Sequence, residues 1–299
     1  MIAEFPESTP ITFDIQTEFN SITKNYPNYS EFNFINLMSW NRNNLGGLSK
    51  LNGNLVLYYP DYIEDSCFIS FIGQTKLLET IRTLLDYAGQ KLSKRKLELV
   101  PEEGVKDLKP SNCFNITEEP FGNDYIISLK SLIDMQCPEL RRFRRAVRCF
   151  NQQSGKLAVP KLLDISSRRT QKTMLEVFEC RESQKLNNDS ANELEAINQL
   201  FKDQNHYNLI GYGVEIEGRL RAFIICENVG GSWSVGHFWK ADITYPGIYS
   251  YLMLQTANYL VNSGIGVMNI MQDLGIDNLR FFKSSFNPIF NLKKYTISD

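Results

Sequence analysis

The chain has 299 residues, a formal net charge of −2 and 42% hydrophobic residues. That length supports one large domain or two of ordinary size, and two is the expectation. Near-neutral charge excludes a global electrostatic hold on nucleic acid or an anionic membrane, so any such grip must come from a local patch.

In chain order, residues 13–25 are predicted as a helix and EFNFINLMSWNRNN as an aromatic-rich helix or turn ending near Trp40. Residues 52–73 read as strand, polar turn and strand, followed by a helical pattern over 74–89 and a strand at KLELVPE. Residues 129–153 read as helical and hold the one strongly basic segment, with Arg141, Arg142, Arg144, Arg145 and Arg148. Residues 154–169 are expected to connect two domains, although 157–163 are apolar enough to be a strand. NNDSANE reads as a loop leading to a helix N-cap at Ser190 or Asn192, and ELEAINQLFKDQ as the helix. Three strands with tight turns at Glu217-Gly218 and Gly230-Gly231 follow, then a helix over 248–263. Each half therefore repeats one plan, an antiparallel meander followed by a helix and a further strand.

The six cysteines never form a C-x-x-C pair and lie mostly in apolar surroundings, which predicts free thiols in a reducing cytoplasm. No apolar run approaches the roughly 18 residues of a membrane span, and the N-terminus has no signal-peptide pattern. Only two histidines are present, without ligand spacing, so no metal site is expected. His237, in an apolar aromatic strand, reads as a core histidine. Neither G-x-S-x-G nor a Walker motif occurs.

The chemistry gathers at two strand ends. In NIMQDLGIDNLRFFKSSFNP, Asp273, Arg280 and Lys283 surround a turn at Gly275. A helix starting near Ile276 would put Arg280 and Lys283 on one face, able to grip a phosphate, with Asp273 at the turn to handle a proton or an amine. In GHFWKADITYPGIYSYLM, an aromatic strand ends in Lys240 and Asp242, and Tyr249 follows the Gly247 turn. The competing readings are a buried ion-pair cluster pinning a turn and a solvated strand end. Arg141, Arg144, Arg145 and Arg148 fall at i, i+3, i+4 and i+7, opposite Phe143, Val147 and Phe150. This stripe reads as a tRNA or phosphate patch, a lipid-surface patch or a solvated face.

With these segments in place, the chain resembles the soluble C-terminal domain of the phosphatidylglycerol lysyltransferases and its stand-alone relatives. The resemblance rests on EFNFINLMSW, NDYIISLKSLIDM, GRLRAFIICE, HFWKADITYPGIY and NIMQDLGIDNLRFFKSSFNPIFNLKKY. It implies an α/β (α+β) protein of two tandem GNAT-like lobes, each a mixed, largely antiparallel sheet flanked by helices. Residues 1–153 would form the N-terminal lobe with the Arg-rich helix, and 154–299 the C-terminal lobe with the candidate site, the active cleft lying between them.

The activity it implies is acyl transfer, typically of an aminoacyl group from aminoacyl-tRNA to a lipid head group or another amine or hydroxyl acceptor. No cofactor is needed, because the aminoacyl ester is already activated; the protein must orient the acceptor, remove its proton and stabilise the oxyanion. Asp273 is then the candidate base or acceptor-orienting carboxylate, Arg280 and Lys283 bind a phosphate or the oxyanion, and Lys240, Asp242, Tyr249 and Arg144 bind substrate. On this reading Asp273→Ala or Arg280→Ala abolishes transfer with little loss of thermal stability. With no membrane-spanning segment expected, membrane contact would be peripheral. Trp239 and Met271 stand where the family pattern has acidic residues. The alternatives are an acyl-CoA-dependent N-acyltransferase, against which the turn TYPGIYS has only one glycine and no basic residue, and a non-catalytic ligand- or RNA-binding module.

Overall fold

The computed structural model describes residues 1–64, 66–108, 114–185 and 191–299. The chain forms two compact units, Met1–Asp124 with Leu292–Asp299, and Tyr125–Asn291. This partition differs from the expected boundary after residue 153. The buried face of the Arg-rich helix, Phe143, Val147 and Phe150, packs into the core of the second unit, and the last strand belongs to the first.

In the first unit, β1 (Thr9–Pro10), β2 (Gly47–Leu51), β3 (Asn54–Pro60) and β4 (Cys67–Ile72) form an antiparallel sheet in that order, with helices α1 (Gln16–Thr23) and α2 (Phe34–Ser39) between β1 and β2. Helix α3 (Leu77–Leu92) buries Leu77, Ile81, Leu84, Leu85 and Ala88, a helical stripe packed with Val56 and Phe71 of the sheet. Strands β5 (Lys96–Pro101) and β6 (Asn115–Glu118) flank the C-terminal strand Lys294–Ser298, both antiparallel to it. That strand delivers a fully buried lysine: Lys294 Nζ lies 2.5 Å from Glu31, 2.8 Å from Asp124 and 2.9 Å from Ser30 Oγ. Burial, reinforced by Asp124 and opposed by Lys294, pushes the Glu31 carboxyl up to about 7.

The second unit opens with β7 (Asp124–Ser128), α4 (Leu129–Asp134) and α5 (Arg141–Gln153). The single helix expected over 129–153 is thus two, because Met135 turns left-handed (φ 51°) and Pro138 starts a separate short turn. Strand β8 (Ala158–Leu163) occupies the expected connector, and α6 (Arg168–Ser183) follows it. Helix α7 (Ala191–Asp203) already contains Asn192, which is therefore no N-cap, and Ser190 lies outside the described residues. The meander β9 (Leu209–Ile216), β10 (Arg219–Gly230) and β11 (Trp233–Ala241) turns at the two positions expected. Glu217 and Gly218, then Gly230 and Gly231, are left-handed pairs, the conformation of tight hairpins. Helix α8 (Ile248–Asn262), β12 (Val267–Asn269) and α9 (Asp277–Ser284) complete the unit.

Its seven-stranded sheet runs from Phe290–Leu292 through β7, β12, β11, β10 and β9 to β8. Strands β11 and β12 are parallel, joined by α8, and pair only over Trp233–Val235 and Val267–Asn269. Beyond that, β11 continues to Ala241 while the chain leaves β12 in a loop. Open sheets bind ligands outside the carboxyl ends of parallel strands. Both charged segments singled out in the sequence sit there. The fold is mixed α+β with largely antiparallel sheets flanked by helices, and both units repeat the meander, helix and strand plan.

Candidate functional site

Alternation along β11 sends Trp239 and Lys240 to opposite faces of the sheet. Lys240 is 7% exposed; its ammonium lies 2.7 Å from Glu193 of α7, 3.6 Å from Glu182 of α6 and 5.1 Å above the Phe178 ring. Two carboxylates from distant helices thus keep a buried lysine satisfied. Asp242, two residues on, faces the same side. It accepts from the Thr244 N–H and hydroxyl and from Gln184, with Arg221 at 3.4 Å. Burial pushes the Asp242 carboxyl up, but these hydrogen bonds and Arg221 together outweigh it and leave the group below its ordinary range.

The turn after Asp242 sets the start of α8. Gly247 has φ 84°, and a Cβ there would fall 2.1 Å from the Ala146 carbonyl oxygen of α5. Both the left-handed backbone and the close approach demand glycine. Gly247→Ala is expected to cost about 2 kcal/mol or more, measurable as a lowered denaturant midpoint. Tyr249, in the first turn of α8, is mostly buried, which raises its phenol, while Arg181 and the Ala241 backbone act in the opposite direction. One Arg181 guanidinium nitrogen is buried without a hydrogen-bond partner among the described residues.

The second group sits in the loop after β12. The Asn269 side chain accepts from Met271 N at 2.6 Å, and Asp273 Oδ1 from Gly275 N at 2.8 Å, so two side-chain-closed turns shape the loop. Met271 (φ 58°) and Leu274 (φ 56°) are both left-handed, local strain that these turns hold in place. Asp273 is fully buried. Its other oxygen accepts from the Tyr125 hydroxyl at 2.6 Å and from Arg280 Nε at 3.2 Å, with a further Arg280 nitrogen 3.4 Å from Oδ1. Burial and this bond to Asp273 push the Tyr125 phenol up to about 12.

These contacts change the expected roles. With its acceptor directions filled by four donors and no exposure, Asp273 orients Arg280 and is not placed to take a proton from a substrate. Arg280, with its side chain 46% exposed, is the cation presented to solvent. Lys283 does not share that face as expected: it is buried and donates to the Gln272 carbonyl, closing the loop from within. Arg144 is also committed, donating to the carbonyls of Met135 and Cys137 at the end of α4, so it is not a free anion-binding group. His237 is a core residue as expected, its side chain buried beside Glu227 at 3.5 Å.

The structure therefore brings Asp273 and Arg280 together, and Lys240 and Asp242 together on the far side of β11. Tyr249 lies between the groups. Its ring packs 5.3 Å from Phe282 of α9, which also meets Trp239 at 5.2 Å, while its hydroxyl side meets Arg181 of α6. Sequence reasoning missed Tyr125, Arg181, Glu182, Glu193 and Arg221. For α6 a signal existed, since Met174, Val177 and Phe178 have helical spacing and are buried. No metal-ligating cluster is found among the described residues.

A family profile described as phosphatidylglycerol lysyltransferase, C-terminal, matches residues 23–298. No curated protein is significantly similar in sequence. Among solved structures, a conserved protein of unknown function from Bacteroides thetaiotaomicron VPI-5482 is 21% identical, with a TM-score of 0.79 over 100% of this chain and 99% of that one. L-PGS from Bacillus licheniformis is 11% identical, with a TM-score of 0.60 over 100% of this chain and 93% of that one. The C-terminal domain of a lysylphosphatidylglycerol synthetase from Agrobacterium fabrum is 10% identical, with a TM-score of 0.60 over 94% and 92%. At these identities the likeness is one of fold.

Proposed function

The chain belongs to the phosphatidylglycerol lysyltransferase C-terminal family, and from that premise we propose that it transfers an aminoacyl group from aminoacyl-tRNA to a lipid head group or another amine or hydroxyl acceptor. The observation that carries this reading is the convergence of Glu182, Glu193, Lys240 and Arg181 beside Tyr249, at the carboxyl end of β11. An aminoacyl ester offers an ammonium and a carbonyl a few atoms apart. The half-buried carboxylates Glu182 and Glu193 suit the first and a guanidinium with an unspent donor the second. Arg280, held by Asp273 and Tyr125, supplies a preorganised cation for a phosphate of donor or acceptor.

Coenzyme A is the weaker donor. The turn that would have to cradle its pyrophosphate is closed by Ala146 of α5, and the Ile248 N–H is spent on the Tyr245 carbonyl. Calorimetry with amino-acid amides, unreactive stand-ins for the aminoacyl ester, tests this cluster directly. Wild type is expected to bind at least one amide, and Glu193→Ala to lose about tenfold or more in affinity. Heat released with coenzyme A and with no amide would replace this reading by the acyl-CoA one.

A further inference from the structure

We propose that the outer face of α5, with Phe281 of α9, is a docking surface for anionic lipid bilayers. Helix α5 contains no acidic residue, and Arg141, Arg142, Arg145 and Arg148 are exposed with no ion pair among the described residues. Unopposed cations on one helix face form a local positive field on a nearly neutral chain. Apolar surface borders this stripe on both sides. On one flank the Arg142 guanidinium sits 4.4 Å above the ring of Phe281, itself 57% exposed. On the other, a depression of about 450 Å³ is lined by Met135, Val147 and Leu254 together with Arg144, Arg148, Asn151 and Gln152.

Phosphates of either a nucleic acid or a bilayer would satisfy the arginines. The apolar flanks decide between them. A sugar-phosphate backbone makes no use of aliphatic surface, whereas a bilayer takes cations at the head groups and apolar side chains just beneath. The neighbouring acids do not cancel the field: Asp277 is paired with Arg280 at 3.4 Å, which leaves Asp134 and Glu139 against four arginines. No helix among the described residues is long and apolar enough to cross a membrane. This inference concerns a face apart from the residues gathered beside Tyr249 and does not rest on the transfer reading.

Co-sedimentation with vesicles tests it, using pure phosphatidylcholine and phosphatidylcholine mixed with phosphatidylglycerol. Wild type is expected to bind only the mixed vesicles, and more weakly as salt rises. Replacing Arg141, Arg145 and Arg148 together with Gln should weaken binding by about a hundredfold, since each surface cation contributes about fivefold. Phe281→Ser, which alters no charge, should weaken it by roughly fivefold. All these side chains are exposed, and unchanged melting curves confirm intact folds. Wild type that ignores anionic vesicles at low salt, or triple-variant protein that binds them undiminished, overturns the proposal. Arginine-dependent binding to bulk tRNA, with no vesicle binding and no effect of Phe281→Ser, would reassign the face to RNA.

Discussion

Lys294→Ala destabilises the protein by about 3–5 kcal/mol, the cost of leaving buried carboxylates without their counter-ion. The site consists of two acids and one ammonium, all three side chains without exposure, and the Ser30 hydroxyl oxygen accepts from the ammonium at 2.9 Å. Two buried negative charges against one positive also predict that the folded state retains a proton. Glu31 is the group that holds it, pushed up from 4.5 to about 7 by burial and by Asp124 against the pull of Lys294, with Tyr59 and Tyr62 facing it as well. A carboxyl raised in the folded state stabilises fully below its unfolded value of 4.5, and that contribution is lost as pH rises through about 7. Glu31→Gln carries no such proton. Its stability relative to wild type should therefore improve between about pH 5 and about pH 8, read as denaturant midpoints. A difference that stays flat over this interval would show that Glu31 is ionised throughout.

Asp273→Ala is expected to lose both transfer and stability, the latter by about 2–4 kcal/mol, because it strands the Tyr125 hydroxyl and the Gly275 N–H and releases the strained loop at Met271 and Leu274. This revises the expectation, drawn from sequence, of a stability-neutral loss of activity; burial of the carboxylate is the reason. Arg280→Ala is the cleaner substitution. The guanidinium is half exposed and Asp273 retains Tyr125 and Gly275, but the buried carboxylate loses its counter-ion, so a loss of about 1–2 kcal/mol, smaller than for Asp273→Ala, should accompany a fall in transfer of a hundredfold or more. Tyr125→Phe should lie between, removing one of the Asp273 donors and loosening Arg280. Arg280→Ala with full activity would reduce the whole Asp273 group to a turn-pinning ion pair.

The repeated meander, helix and strand plan was legible because it is written in local periodicity, and so were the two hairpin turns and the start of α9. The carboxyl ends of β11 and β12 also stood out, since charged residues following apolar strands are visible in one pass. What was not legible depends on partners far away in sequence. Lys240 reads as a solvated strand end until Glu182 and Glu193 arrive from two helices. Asp273 reads as a free carboxylate until Tyr125, 148 residues earlier, reaches it. In the same way nothing local in NLKKY marks its second lysine, which is fully buried in the first unit. Alternation alone puts Lys240 and Trp239 on opposite faces of the sheet, but it could not reveal that one face meets α6 and α7 and the other α9.

The account stands or falls on transfer itself. Radiolabelled amino acids on a bulk-charged tRNA pool, incubated with wild type and with Glu193→Gln, should deliver label into one of the lipid, peptide or small-molecule fractions with wild type only. Both proteins should melt alike, because Lys240 keeps Glu182 as a partner. Folded wild type that moves no label into any fraction, or Glu193→Gln that moves as much as wild type, would contradict an aminoacyl-transfer site at the end of β11.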